Sequence, residues 1–160
     1  NRLIATLTTP RLALTLFVGS LWIWHIPALY ELALKNEAVH FAEHLTIFAA
    51  ALLFWWPIIG PAPIRSSLSY PQRILYLLLA VTPIAALGAL ITLVDSLYPF
   101  YETVPDHWGM SDAEDQSLGG LLMWVPGNFV FLSVLTVLFF RWSEQEETDS
   151  IPPLKPPGPG

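Results

Sequence analysis

The sequence predicts an all-α integral membrane protein built as a four-transmembrane-helix bundle. Apolar residues make up 54% of the 160-residue chain, and charged residues make up only 12%. Soluble domains carry roughly a quarter charged residues, so this chain has about half the usual supply. The apolar residues are concentrated in four runs that are long enough to cross a bilayer. The lipid bilayer is therefore the first predicted partner.

Short polar or proline-containing loops separate the four runs. Tryptophans near the ends of the first two runs are typical of the membrane–water interface: Trp22 and Trp24 in the first run, Trp55 and Trp56 in the second. The loop after the second run contains too many prolines to be helical. The predicted spans cover about residues 12–29, 39–59, 74–94 and 118–140.

The predicted domain organisation is one transmembrane domain followed by a tail. Residues 1–142 contain all four spans, and an acidic loop connects the third and fourth spans at 95–117. Residues 143–160 combine acidic side chains with a proline-rich end. Such a composition is expected to be extended or disordered.

The positions of lysine and arginine predict the orientation of the bundle. With four spans, both termini and the loop after the second span share one side of the membrane. That side holds six of the seven basic residues, and only Lys35 lies on the other side. Cytoplasmic loops carry the excess of basic residues, so both termini are predicted to be cytoplasmic and the acidic loop to be outside.

The chain contains no cysteine, which excludes disulfides, thiolate metal ligands and cysteine nucleophiles. Any bound metal must therefore be held by histidine, methionine, carboxylate or carbonyl groups. The net charge of −6 lies in the loops and the tail, and we predict no nucleic-acid partner. The first residue is asparagine and no cleavable signal is visible, so we expect a piece of a longer or processed chain.

The strongest candidate site lies at the start of the second span. His40 and His44 are four residues apart and share one helix face, with Glu43 beside them. Ionisable groups in or near lipid are costly, so their presence here indicates a function. Two imidazoles with this spacing can bind one metal, and Glu43 is either a further ligand or, as we favour, the group that orients an imidazole. His107 and Met110 in the long loop are weaker candidates.

Further candidate ligands lie at the same predicted outer end. His25 ends the first span, and Met123 lies in the fourth. A thioether beside imidazoles, without a thiolate, favours copper over zinc or magnesium. The predicted metal ligands are His25, His40, His44 and Met123, and the groups expected around them are Glu43, Tyr98, Asp115 and Gln116.

Several of these residues also have structural interpretations. A histidine such as His25 often bonds one membrane helix to another, and Met123 has the character of a core residue. Asp115 is suited to cap the fourth helix, which is the role we favour for it. Gly119 and Gly120 are expected to let two helices approach closely.

Three motifs stand out along the chain. They read WHIPALYELAL at 24–34, VHFAEHLTIF at 39–48 followed by LLFWWPII at 52–59, and DQSLGGLLMWVPG at 115–127. Together with LYPFY at 97–101 and the RW pair at 141–142, they resemble the CtaG family of integral-membrane assembly factors for caa-type cytochrome c oxidases. The resemblance covers roughly residues 21–142.

The resemblance implies a copper-binding assembly factor in the bacterial plasma membrane, with a haem–copper oxidase as its partner. Two departures from the family pattern are visible. Family members typically have more spans than the four predicted here, and Ser117 stands where a second glutamine is usual. The residues that match the family's polar cluster are His25, His40, Glu43, His44, Asp115, Gln116 and Met123.

Three functions are open on the sequence. The favoured one is copper handling for a haem–copper oxidase, with the metal site at the outer membrane face. The second is a structural accessory subunit of a larger respiratory or photosynthetic complex. The third is haem b binding through His25 and a histidine of the second span. No enzyme is expected, because a nucleophile–base set, a phosphate loop and an HExxH motif are all absent.

Overall fold

The structure, a computed structural model, describes residues 2–60, 68–95, 97–100 and 109–150. These residues contain no strand, which confirms the all-α class for this part of the chain. Its helices are α1 (Arg2–Leu7), α2 (Pro10–Trp24), α3 (Pro27–Lys35), α4 (Glu37–Ile59), α5 (Tyr70–Leu93) and α6 (Asp112–Ser150). Helices α4, α5 and α6 are long and apolar enough to cross a membrane, and α2 with α3 makes a fourth span if that bent pair is counted as one.

The first predicted span, 12–29, is wrong as a continuous helix. α2 ends at Trp24, α3 begins at Pro27, and the two helices are bent by 73°. Pro27 lacks the N–H that would continue a helix, and the residue before a proline is pushed out of the helical region. Ile26 accordingly has φ −63° and ψ 127°. The break leaves His25 between two helices rather than within one.

The second and third predicted spans, 39–59 and 74–94, correspond closely to α4 and α5. α4 begins where the Asn36 side chain accepts hydrogen bonds from two backbone N–H groups of the first turn, at 3.0 and 3.3 Å. It ends at Ile59, and the next residue, Gly60, has a left-handed φ of 60° that favours glycine. The cytoplasmic placement of the termini stays a prediction.

α6 begins earlier than the predicted 118, because Ser111 and Glu114 cap its start. The backbone N–H and the hydroxyl of Ser111 both donate to the Glu114 carboxylate at 2.8 Å. These two hydrogen bonds stabilise the charged carboxylate and lower the pKa of Glu114. The first turn of α6 therefore belongs to the segment that was predicted to be loop.

α6 also continues past the predicted end at 140, as far as Ser150. The predicted disorder of the tail is therefore wrong for residues 143–150. Trp142 donates to Glu146 one turn later at 3.0 Å, a local bond that favours continued helix. The rest of the predicted tail, 151–160, lies outside the described residues.

An aromatic core joins α2, α4, α5 and α6. The Phe54 side chain on α4 is fully buried. Its ring centroid lies 4.6 Å from that of Phe17, 5.0 Å from Tyr76 and 6.0 Å from Phe131. The Tyr76 hydroxyl also donates to the Phe54 carbonyl oxygen at 3.1 Å. The core thus lies toward the end of the bundle where α4 ends and α5 begins, and it holds four helices together.

α5 and α6 form the most extensive helix pair, and two glycines lie where they contact each other. A Cβ atom on Gly88 would lie 2.4 Å from Cβ of Trp124, and one on Gly120 would lie 2.8 Å from the backbone N of Thr92. Small residues of this kind let membrane helices approach closely. The predicted role is confirmed for Gly120 and wrong for Gly119, because no atom lies within 4 Å of the Cβ position there.

Gly120→Ala should destabilise the bundle relative to Gly119→Ala. Both substitutions gain helix propensity of about 1 kcal/mol, but only Gly120→Ala forces α5 away, at a cost of roughly 1–3 kcal/mol. Unfolding of the purified protein by titration with a denaturing detergent would measure the difference. Equal stability of the two variants would contradict the close approach.

Candidate metal-binding site

One end of the bundle, which we call the histidine end, is formed by the end of α2, the start of α4, the end of α5, the start of α6 and the whole of α3. A cavity of about 340 Å³ opens there. Its walls come from three separate predicted spans and the segment after α5. The predicted site residues that line this cavity are His25, Tyr98, Asp115, Gln116 and Met123, and the aromatic ring of Tyr30 lines it as well.

The half-buried His25 ring already has the hydrogen bonding typical of a metal-bound imidazole. Its Nδ1 lies 2.7 Å from the carbonyl oxygen of Leu21. A carbonyl oxygen only accepts hydrogen bonds, so Nδ1 carries the proton in this contact. In the neutral ring the other nitrogen, Nε2, then has a free lone pair, and metal-bound histidines are usually held in this way by their second nitrogen.

Two tyrosines fix the position of His25. Tyr98 is 3% exposed, and its hydroxyl donates to the His25 carbonyl oxygen at 3.1 Å. The Tyr98 ring stacks on Tyr30 with centroids 4.1 Å apart, and the Tyr30 ring lies 6.1 Å from the imidazole. Tyr98 therefore contacts the backbone of a candidate ligand. Sequence reasoning missed Tyr30, and its position five residues after His25 was the available signal.

Gln116 joins the end of α5 to the start of α6. Its Oε1 accepts from the backbone N–H groups of Leu97 and Tyr98 at 2.7 and 3.2 Å. Its Nε2 donates to the carbonyl oxygens of Ile91 and Val94 at 3.0 and 2.6 Å. Both lone pairs and both amide protons are thereby used. This corrects the expectation that Gln116 assists a metal, because the amide has no capacity left for one.

Ser117 continues this connection. Its hydroxyl donates to the carbonyl oxygen of Thr92 at 2.8 Å, and the Thr92 hydroxyl donates to the Gly88 carbonyl oxygen at 2.8 Å. Carbonyls in the last turn of a helix have no partner within the helix. Side chains of α6 supply partners for the end of α5. The sequence showed Ser117 only as a departure from a motif, so this role was missed.

Met123 and Asp115 line the cavity from α6. Met123 is half-buried and packs against the buried side chains of Leu87, Ile91 and Tyr98. Asp115 is exposed in the first turn of α6, where a carboxylate interacts favourably with the helix dipole. The hydrogen-bonded cap is nevertheless made by Ser111 and Glu114, which corrects the capping role predicted for Asp115.

His40 and His44 lie together on the outside of the bundle. Their ring centroids are 4.5 Å apart with an angle of 49° between the ring planes, and both side chains are exposed. His44 lines a surface groove with Phe41, and that groove is separate from the cavity at His25. Glu43, by contrast, is 9% exposed and belongs to the buried face of α4. The pair shares a helix face as predicted, but Glu43 is directed away from it.

The predicted four-ligand site is therefore divided in two. His25 and Met123 line the cavity, whereas His40 and His44 lie on the outer face of α4. Across residues 2–60, 68–95, 97–100 and 109–150, no group of three or more histidine and acidic side chains converges on one point. His107 lies outside the described residues.

Gln116→Leu should loosen the segment at residues 97–98. The two N–H groups and two carbonyls that Gln116 satisfies would lose their partners, at about 1–3 kcal/mol for each buried group that water does not reach. Hydrogen exchange at the Leu97 and Tyr98 amides should accelerate at least tenfold. Asp115→Asn, at the exposed neighbour, should leave that exchange unchanged, and equal protection in both variants would contradict the role of Gln116.

Nearly all of this architecture lies within a known family pattern. The family model described as Cytochrome c oxidase caa3 assembly factor (Caa3_CtaG) matches residues 1–145. No solved structure matches the chain significantly.

Three mycobacterial proteins are similar to the chain. Identity is 32% over 149 residues with uncharacterized protein Mb0105 of Mycobacterium bovis and with uncharacterized protein MT0111 of Mycobacterium tuberculosis, covering 91% of this chain and 22% of each relative. Identity with uncharacterized protein ML1998 of Mycobacterium leprae is 30% over 145 residues, covering 89% of this chain and 22% of the relative. The chain thus spans about a fifth of the length of these relatives.

Proposed function

This chain belongs to the cytochrome c oxidase caa3 assembly factor family, and we propose that it is a non-enzymatic protein that handles copper while a haem–copper oxidase is assembled. Copper is the cargo in this proposal, and the oxidase is the partner that receives it. The membrane is the bacterial plasma membrane. The predicted orientation puts the histidine end at the outer face.

The observation that carries the proposal is the cavity shared by His25 and Met123. The Leu21 carbonyl oxygen holds Nδ1 of His25 and so leaves Nε2 able to bind a metal. Met123 adds a soft thioether on the opposing helix, and imidazole with thioether suits copper better than zinc or magnesium. Tyr98 stabilises the His25 backbone, so the ligand is held in place before copper arrives.

His40 and His44 supply a second, exposed copper-binding pair in this proposal. Their rings currently lie against each other 4.5 Å apart. To bind one ion together, a nitrogen of each imidazole must point at that ion from about 2 Å. An exposed pair is suited to receive or release copper, whereas the half-buried His25 and Met123 are suited to retain it.

Copper(I) titration of the detergent-purified protein against a competing chelator tests the cavity. Wild-type protein should bind copper, and Met123→Leu should weaken the tightest site by on the order of tenfold or more. Met123→Leu changes little volume, so the fold should persist. Met110→Leu removes the other methionine of the chain, outside the cavity, and is the matched control.

The histidines are tested in the same titration with metal content measured by mass spectrometry. His25→Ala should abolish the tightest site, whereas His40→Ala/His44→Ala should remove only a weaker one. Negligible copper in the wild type would contradict copper handling and favour the accessory-subunit function. Loss of all copper in the double variant alone would contradict the assignment to the cavity.

The haem b alternative gains no support from the described residues. A bis-histidine haem needs two imidazoles that face each other across one pocket. His25 lines the cavity, whereas His44 lines a different groove on the outer surface. Absence of a Soret band from the purified protein is the expected result.

A further inference from the structure

The break between α2 and α3 places a rotatable bond between a candidate ligand and part of the cavity wall. His25 directly follows α2, and Tyr30 lines the same cavity from α3. Between them, the Ile26 N–H donates to the carbonyl oxygen of Ile23 at 3.2 Å. The Ile26 carbonyl oxygen accepts from the N–H groups of Leu29 and Tyr30 at 2.9 and 3.0 Å. The first bond belongs to the α2 side and the other two to the α3 side, so rotation about the Cα–C bond of Ile26 turns α3 without breaking any of them.

Hydrogen bonds hold the α2 side of this break to the rest of the bundle. The indole N–H of Trp22 donates to the carbonyl oxygen of Pro83 on α5 at 3.2 Å. The indole N–H of Trp24 donates to the hydroxyl of Thr46 on α4 at 2.8 Å. His25 comes directly after these two anchored residues, so it stays with the body of the bundle when α3 turns.

Ring contacts join α3 to the segment after α5. The Tyr30 ring stacks on Tyr98 with centroids 4.1 Å apart, and the Lys35 ammonium lies 5.5 Å from the centroid of the Phe100 ring. The ion pair between Lys35 and Glu31 lies within α3 and moves with it. Ring contacts of this kind accept a range of geometries, and their separation does not itself break a hydrogen bond.

The contact between α3 and α4 is made by a small side chain. α3 packs against α4, and its one buried side chain is that of Ala33, which is 3% exposed. A methyl group buries little apolar area and does not interlock deeply with its neighbours. This contact therefore permits α3 to turn on α4.

The Tyr30 ring lies beside both candidate ligands of the cavity. Its centroid is 6.1 Å from that of the His25 imidazole. Tyr30 and Met123 pack against the same buried cluster, which contains Ile91 and Tyr98. Movement of α3 takes this aromatic wall away from both ligands.

We propose that α3 is a lid over the candidate copper site, with its hinge at Ile26 and its closed position set by Tyr30 on Tyr98. The inference rests on the proposed function for the identity of the bound ion. With the lid closed, the Tyr30 ring shields an ion held by His25 and Met123 from water. With the lid open, a chelator or an acceptor protein reaches that ion. His25 stays on the fixed side of the hinge, so opening changes access to the ion and not its ligands, and such movements commonly limit the rate of release.

Alkylation of a cysteine in the cavity measures the lid without any metal. The chain contains no cysteine, so Met123→Cys introduces a single thiol. A charged maleimide should react with it roughly 2- to 10-fold faster after Tyr30→Ala, because loss of one aromatic pair shifts an open–closed equilibrium by about that factor. Tyr30→Phe keeps the ring and should keep the rate. Phe41→Ala is the matched control, because it removes a ring that is 67% exposed in a different groove.

Ile26→Gly distinguishes movement of the lid from enlargement of the cavity. The Ile26 side chain is 49% exposed and does not line the cavity, so the wall and the fold stay intact. Glycine removes the restriction on ψ that a β-branched residue before a proline has. Alkylation of Met123→Cys should rise roughly 2- to 5-fold with Ile26→Gly, and Ile26→Val should leave it unchanged. Acceleration by Tyr30→Ala without acceleration by Ile26→Gly would overturn the lid, since the missing ring alone then explains the access.

Release of copper(I) from loaded protein to an excess of chelator gives the second readout. Tyr30→Ala and Ile26→Gly should both accelerate release when Met123 is retained. The affinity should change less than the rate, because an open lid assists entry and exit alike. Copper that binds but leaves both variants at the wild-type rate would overturn the lid and leave the copper site standing. Alkylation uses no copper, so it tests the lid even where titration finds no copper binding and the proposed function fails.

Discussion

The close approach of α5 and α6 at Gly88 and Gly120 is the constraint on which the histidine end depends. It brings the start of α6 within hydrogen-bonding distance of the end of α5. Gln116 therefore bonds to backbone carbonyls at the end of α5 and to backbone N–H groups in the segment that follows it. That segment then directs the Tyr98 hydroxyl to the backbone of His25. A side chain at either glycine would separate the helices and remove the geometry that positions the candidate ligand. The packing of two helices is thus coupled to the position of an imidazole on a third.

The broad fold could be predicted because lipid imposes a simple rule on sequence. Long apolar runs must be helical in the bilayer, since every backbone group needs a partner within its own segment. The errors fall where that rule weakens. Pro27 divides the first run, and its effect on Ile26 is local chemistry that a count of apolar residues does not register. The Ser111–Glu114 cap extends α6 into a segment whose acidic composition resembled a loop.

The candidate site could be predicted only in part. Span order alone places His25 and Met123 at the same end of a helical bundle, and the structure brings them to one cavity. The spacing of His40 and His44 fixes their shared helix face but not the direction of that face. Helix rotation is set by packing in the core, where Phe54 rather than the histidines determines which side of α4 turns inward. The partners of Gln116 are likewise set by helix packing. No spacing rule could therefore show that its side-chain amide makes all its hydrogen bonds to backbone groups.

Hydrogen-bond satisfaction separates structural from functional polar residues in this bundle. Gln116 uses both oxygen lone pairs and both amide protons within the described chain, and its role is structural. His25 has one nitrogen held by a carbonyl and the other available, as a metal ligand requires. Asn128, which lies on the apolar stretch of α6, makes no side-chain hydrogen bond within the described residues. An unsatisfied polar group at the membrane middle costs free energy unless another molecule pairs with it. The groups that the fold leaves unpaired are therefore the ones at which binding of another molecule should be tested first.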